Sequence, residues 1–279
     1  MFVLEPIGWA DCFTPEDLIE EIFHQLPDLS FPIPLFEIAQ ACGIVKIVDI
    51  ANLPNSRPSG AFPEGFLIDQ NKCHGVIFYK DKAIAPYRKR FTIAHELAHF
   101  LLPHHINKLS LADIERGDVS AKASHHQEHE KEADWFAGEL LLPKHLLEDA
   151  LKSQNLSLQF IKRLAETSQT SFSFLINRCF TILDEKPMAV IHSKDGVCYQ
   201  IWVNGHALPS EIACSKKESL PDFSVFGQQQ NTEEEHITEK TLAIADCWFN
   251  SLPDDFSEVL YEQTYYQRNG YAITLLLIE

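Results

Sequence analysis

The stretch Arg90-Phe91-Thr92-Ile93-Ala94-His95-Glu96-Leu97-Ala98-His99-Phe100-Leu101-Leu102 sets two imidazoles four residues apart, with a carboxylate directly after the first. On a helix, positions i and i+4 share a face, so both rings can reach one metal ion. Glu96 stands about 100° further around the axis at 3.6 residues per turn, where its carboxylate can reach water in the open coordination position. Two neutral nitrogen ligands (His95 and His99), a general base (Glu96) and a rigid helix are the parts a zinc hydrolase needs. With 13 His among 279 residues, a chance HExxH is expected only about 0.05 times in such a chain. The competing reading is a buried helix whose histidines are merely hydrogen-bonded, since Ile93, Ala94, Leu97, Ala98 and Leu101 would bury it in either case.

A third ligand is sought downstream, where Glu128 to Leu142 reads as a second helix stopped by Pro143. Glu130 and Asp134 lie four apart on one side of it. The spacing suits Glu130 as the third ligand, with Asp134 one turn on accepting from the far nitrogen of a ligating His. Glu128 and Glu132 read as a solvated acidic face. Two rivals for the third position stand. His105 falls ten residues after His95, where a HExxHxxGxxH pattern would place a histidine, but Leu102 and Pro103 replace the turn-forming Gly. His125, His126 and His129, with His104 and His105, bracket a segment that reads as a surface loop; adventitious metal binding is one role open to them, and solvation is the simpler one.

These two stretches, Arg88 to Leu102 and Glu130 to Pro143, resemble the ImmA/IrrE group of zinc metallo-endopeptidases in content and order. The resemblance extends loosely upstream to Pro34–Ile44 and downstream to the Leu164-Ala165 helix and the hydrophobic carboxyl end. It implies a gluzincin-like site in which His95, His99 and Glu130 hold Zn2+ and Glu96 is the general base; Mn2+ and Fe2+ stay open. It implies as substrate a helix-turn-helix repressor whose cleavage releases stress-response or mobile-element genes. The long His-rich insertion between the motifs departs from the pattern and leaves the third ligand less secure. The alternative is a non-catalytic regulator that binds a repressor or toxin through the same cleft.

Composition narrows the setting. The seven scattered cysteines contain no CxxC pair, which fits thiols in a reducing compartment and hence the cytoplasm. No basic, apolar leader and no run of roughly 20 apolar residues is evident, so neither a signal peptide nor a membrane span is expected. Against 23 basic residues stand 40 acidic ones, a net charge of −17 that repels a phosphate backbone. Direct nucleic-acid binding is therefore not expected, even though the helices at 156–165 and 171–178 could form a helix-turn-helix.

The elements that would hold the site follow from patterning. Thr14 caps a helix with Pro15 at its first position, a second runs from Pro34 to Cys42, and Ile44–Val48 reads as a strand. A turn-rich piece at Pro54–Gly60 precedes a short meander through Gly65–Ile68 and Gly75–Tyr79. From Pro187 the pattern becomes α+β, with a hairpin turning at Asp195-Gly196 and a last strand at Tyr271–Ile278. The expected fold is α+β. A zincin-like catalytic domain, its HExxH helix packed on a small sheet, occupies residues 1–186 with a helical tail from about 144. A C-terminal α+β unit, regulatory or substrate-binding, occupies 187–279. Tyr79, Tyr87, Tyr199 and His192 are candidates to steady an oxyanion.

Overall fold

A computed structural model of the chain describes residue 4 and residues 12–52, 64–70, 74–81, 87–105, 127–152, 154–204, 208, 211–228, 234–254 and 256–279. The expected turn at Pro54–Gly60, His125, His126 and most of the insertion fall outside them. Contacts divide the chain into two units, Met1–Asp149 with Leu164–Leu175, and Ala150–Arg163 with Ile176–Glu279.

In the first unit, α1 (Pro15–Gln25) starts in a capping box, with Thr14 and Asp17 bonding each other's backbone amides. α2 (Leu35–Ala41) leads through Gly43, at φ 107°, into β1 (Ile44–Asp49). β2 (Gly65–Gln70) and β3 (His74–Tyr79) are antiparallel, and β1 joins parallel to β3, giving the order β1-β3-β2. The expected meander is thus a mixed three-stranded sheet. Its residues alternate between two apolar layers, as a pleat requires. Leu67 and Ile77 enter the main core, whereas Phe66, Ile68 and Phe78 form a small cluster on the other face.

The main core is built on α3 (Arg88–Leu101) and α4 (Gln127–Leu141). Ile93, Ala94, Leu97 and Ala98 of α3 meet Ala133, Phe136, Ala137 and Leu140 of α4, all fully buried. The alanines at this seam let the two helices approach closely, so polar side chains beside it are brought within bonding range. Buried Arg90 donates from Nη2 to the Ile33 carbonyl at 2.5 Å, fastening the start of α3 to the α1–α2 connection. Helices α5 (Lys144–Lys152), α6 (Leu158–Ser168) and α7 (Phe172–Ile182) follow.

The second unit carries a six-stranded sheet in the order β5-β4-β9-β8-β6, with β7 also pairing β8. Its strands are β4 (Met188–Lys194), β5 (Val197–Val203), β6 (His236–Ile237), β7 (Thr241–Leu242), β8 (Leu260–Tyr266) and β9 (Tyr271–Ile278). The β4–β5 hairpin turns at Asp195 and Gly196, both at positive φ, the geometry of a type I′ turn. β8 lay outside the expected strands. Its Glu262, Gln263 and Thr264 are all buried, and each is bonded: Trp248 Nε1 donates to Glu262 at 2.9 Å, the Leu158 amide donates to Gln263 at 2.6 Å, and the Thr264 hydroxyl pairs with that of Thr274 at 3.0 Å.

Candidate metal centre

The α3–α4 seam brings His95, His99 and Glu130 together. His95 Nε2 lies 3.1 Å from His99 Nε2, and the Glu130 oxygens lie 3.3 Å from His95 Nε2 and 3.5 Å from His99 Nε2. A tetrahedral ion with ligand bonds of about 2.0–2.1 Å has ligand–ligand edges of about 3.3 Å, the mean of these three. Two imidazoles and one carboxylate are also the donor set of a catalytic zinc site that keeps a fourth position open. The residues fit such an ion.

Each histidine is steered from behind. His95 Nδ1 is 2.9 Å from Asp134 Oδ1, the bond expected from the one-turn spacing of Glu130 and Asp134. His99 Nδ1 is 2.9 Å from His105 Nδ1, and His105 Nε2 is 2.7 Å from Glu132 Oε2. With His99 Nε2 kept for an ion, its proton sits on Nδ1 and is donated to His105, which in turn donates from Nε2 to Glu132. His105 and Glu132 therefore differ from the solvated roles that sequence assigned them: His105 is fully buried, and Glu132 also meets His104 Nε2 at 2.7 Å. His105 turns one nitrogen to His99 and the other to Glu132 and does not join the group of His95, His99 and Glu130. The turn from Leu102 to His105, closed by the His105 amide on the Leu102 carbonyl at 3.2 Å, folds it back onto α3 without a glycine.

Electrostatics follow from this packing. Burial by itself would lower the pKa of His95, but bonds to Asp134 and Glu130 outweigh it and hold the ring up at about 10. The same bonds from His95 and His99 hold the Glu130 carboxyl well below its usual range. His105 moves the other way, down to about 4, because burial and its neighbouring histidines outweigh the bond to Glu132.

Glu96 is buried beside the pair, and burial pushes its pKa up to about 7, with His95 opposing the rise and Glu130 adding to it. The start of β2 covers it. A Cβ on Gly65 would come within 2.9 Å of Glu96 Oε1 and crowd Thr92 still more closely, so only glycine lets the strand pass this near the carboxylate. Tyr79 ends β3, Tyr87 precedes α3, and His192 and Tyr199 lie on β4 and β5. No oxyanion role follows from these placements.

A HExxH helix on a small mixed sheet, with a following helix facing its two histidines, defines a zincin-like domain. Residues 56–180, which hold both motif helices, match the family model of the IrrE N-terminal-like domain, Peptidase M78. A solved structure of a Mycobacterium tuberculosis transcriptional regulator is similar over 95% of this chain and 75% of its own, with a TM-score of 0.53 and 16% identity, a likeness of fold alone. No curated protein matches the chain. Among the described residues, no helix is long and apolar enough to cross a membrane.

Proposed function

We propose that the chain is a zinc-dependent endopeptidase that hydrolyses a peptide bond in a protein substrate, with His95, His99 and Glu130 as metal ligands and Glu96 as general base. The observation that carries this reading is the convergence of the three donor groups at tetrahedral spacing beside a buried carboxylate. A zinc ion held there would polarise the scissile carbonyl and acidify the attacking water. Glu96, whose burial raises its carboxyl to about 7 in the ion-free protein, would serve as general base toward the attacking water and would return the proton to the leaving amine. Asp134 fixes the tautomer of His95 and leaves Nε2 as the ligand atom.

Substrate placement is supported by the sheet. Among the described residues β2 is an outer strand whose first residue abuts Glu96, so an extended peptide added along it would run past the base. The repressor as substrate class rests on the family and on the neighbour's description as a transcriptional regulator. A DNA-binding protein is basic, and a chain of net charge −17 attracts it while repelling the DNA itself.

The test is Glu96→Gln, assayed for metal and for cleavage of candidate helix-turn-helix repressors. Retained metal with cleavage abolished is the expected outcome. Cleavage at the normal rate by the variant would refute the assignment. A wild type that binds such repressors without cutting them would favour the non-catalytic regulator.

A further inference from the structure

Next to the proposed centre stands a second group of metal-type ligands, none of which is a ligand of the first ion. His104, His105 and His129 present ring nitrogens that all lie within 4.8 Å of one another. Glu132 adds a carboxylate oxygen, 2.7 Å from both His104 Nε2 and His105 Nε2. The four come from two places: the turn that follows α3, and the first two turns of α4. His105 is fully buried and the side chain of His104 is 41% exposed, so the cluster runs from the core to the surface.

We infer that His104, His105 and His129, with Glu132, form a second, exchangeable site for a borderline divalent cation of the zinc, copper or nickel class. Three imidazoles and one carboxylate are the ligand types these ions select over calcium or magnesium, which prefer oxygen. In the ion-free protein the Glu132 oxygen serves as acceptor for two imidazole N–H groups, the contact that a shared cation would replace.

The site is tied to the first by one proton. His99 Nδ1 and His105 Nδ1 are 2.9 Å apart, so a single hydrogen lies between them. A cation on His105 Nε2 puts that hydrogen on His105 Nδ1, which then donates to His99 Nδ1. The remaining hydrogen of neutral His99 is thereby placed on Nε2, the atom the first centre needs as a ligand. Filling the second site thus opposes filling the first, and by linkage the opposition is mutual. This opposition rests on the function proposed above; the second site itself does not.

The test uses the full-length protein titrated with Zn2+, the bound ions being counted by native mass spectrometry and by equilibrium dialysis. His104→Ala/His129→Ala alters only the second cluster, and His95→Ala only the first. Wild type is expected to take a second ion in the micromolar range. The double variant should keep the first ion and bind a second at least tenfold more weakly, while His95→Ala should still bind one ion, more tightly than zinc-loaded wild type binds its second. A second ion bound equally well by the double variant overturns the inference, as does a His95→Ala protein that binds none. A single wild-type ion that is lost in the double variant and kept in His95→Ala supports the second site and contradicts the first.

Discussion

At the scale of residues, proton placement sets the chemistry. Glu96 has its pKa raised from 4.5 to about 7 in the ion-free protein. A carboxyl whose folded pKa exceeds its unfolded one loses stability as pH climbs from 4.5 to 7, and the deficit stays constant above that. At 1.36 kcal/mol per unit the deficit is about 3 kcal/mol, so metal-free Glu96→Gln is expected to be more stable than wild type by that order at pH 8. Denaturant melts at pH 8 and pH 4.5 measure it, and a gain that persists at pH 4.5 would contradict the cause given. His95 works in the opposite sense. Its folded pKa of about 10 gives the ion-free protein stability that is full below about 6.5 and disappears as pH rises through 10. Because the ring is charged at pH 7.5, ion uptake must expel its proton. Calorimetry in two buffers of different ionisation enthalpy should show about one proton per ion from His95 in addition to any from the water that the ion acidifies, and a total well below one would contradict a charged ring. Asp134→Asn removes the carboxylate that orients His95 and is expected to weaken the ion about 10- to 100-fold, read by competition with a chelator.

At the scale of elements, α3 and α4 determine what can meet. The HExxH pair, Glu130 and Asp134 were legible because helical periodicity alone fixes which residues share a face, and both segments are helical, over Arg88–Leu101 and Gln127–Leu141. His105 and Glu132 were not, because their meeting depends on a turn after α3 that folds back onto the helix, and no local spacing encodes that return. β8 escaped for a related reason. Its buried Glu262 and Gln263 break the apolar pattern of a central strand and find their partners outside it, at Trp248 and, far along the chain, at Leu158. Gly65 shows the cost of close approach between elements. Gly65→Ala places a methyl against Thr92 and Glu96, so it is expected to lower cleavage at least tenfold while the ion still binds. Equal activity would mean that β2 does not run past the base.

At the scale of the whole molecule, charge is the feature that local geometry does not contain. A net −17 surface draws a basic substrate toward it, and the attraction weakens as salt shortens the Debye length from about 10 Å at 0.1 M to about 3 Å at 1 M. For a basic repressor, the rate of cleavage at limiting substrate should fall about tenfold across that range, whereas turnover at saturation should change little. Rates indifferent to salt would remove steering from the account. The central claim is local, however, and one measurement reaches it most directly: the zinc content, after dialysis against a chelator strong enough to empty a micromolar site, of wild type beside Glu130→Ala and His105→Ala. One zinc per chain in wild type, lost in Glu130→Ala and weakened without being abolished in His105→Ala, is the result predicted. A wild type that cannot be loaded, or a Glu130→Ala protein that keeps a full equivalent, would contradict it.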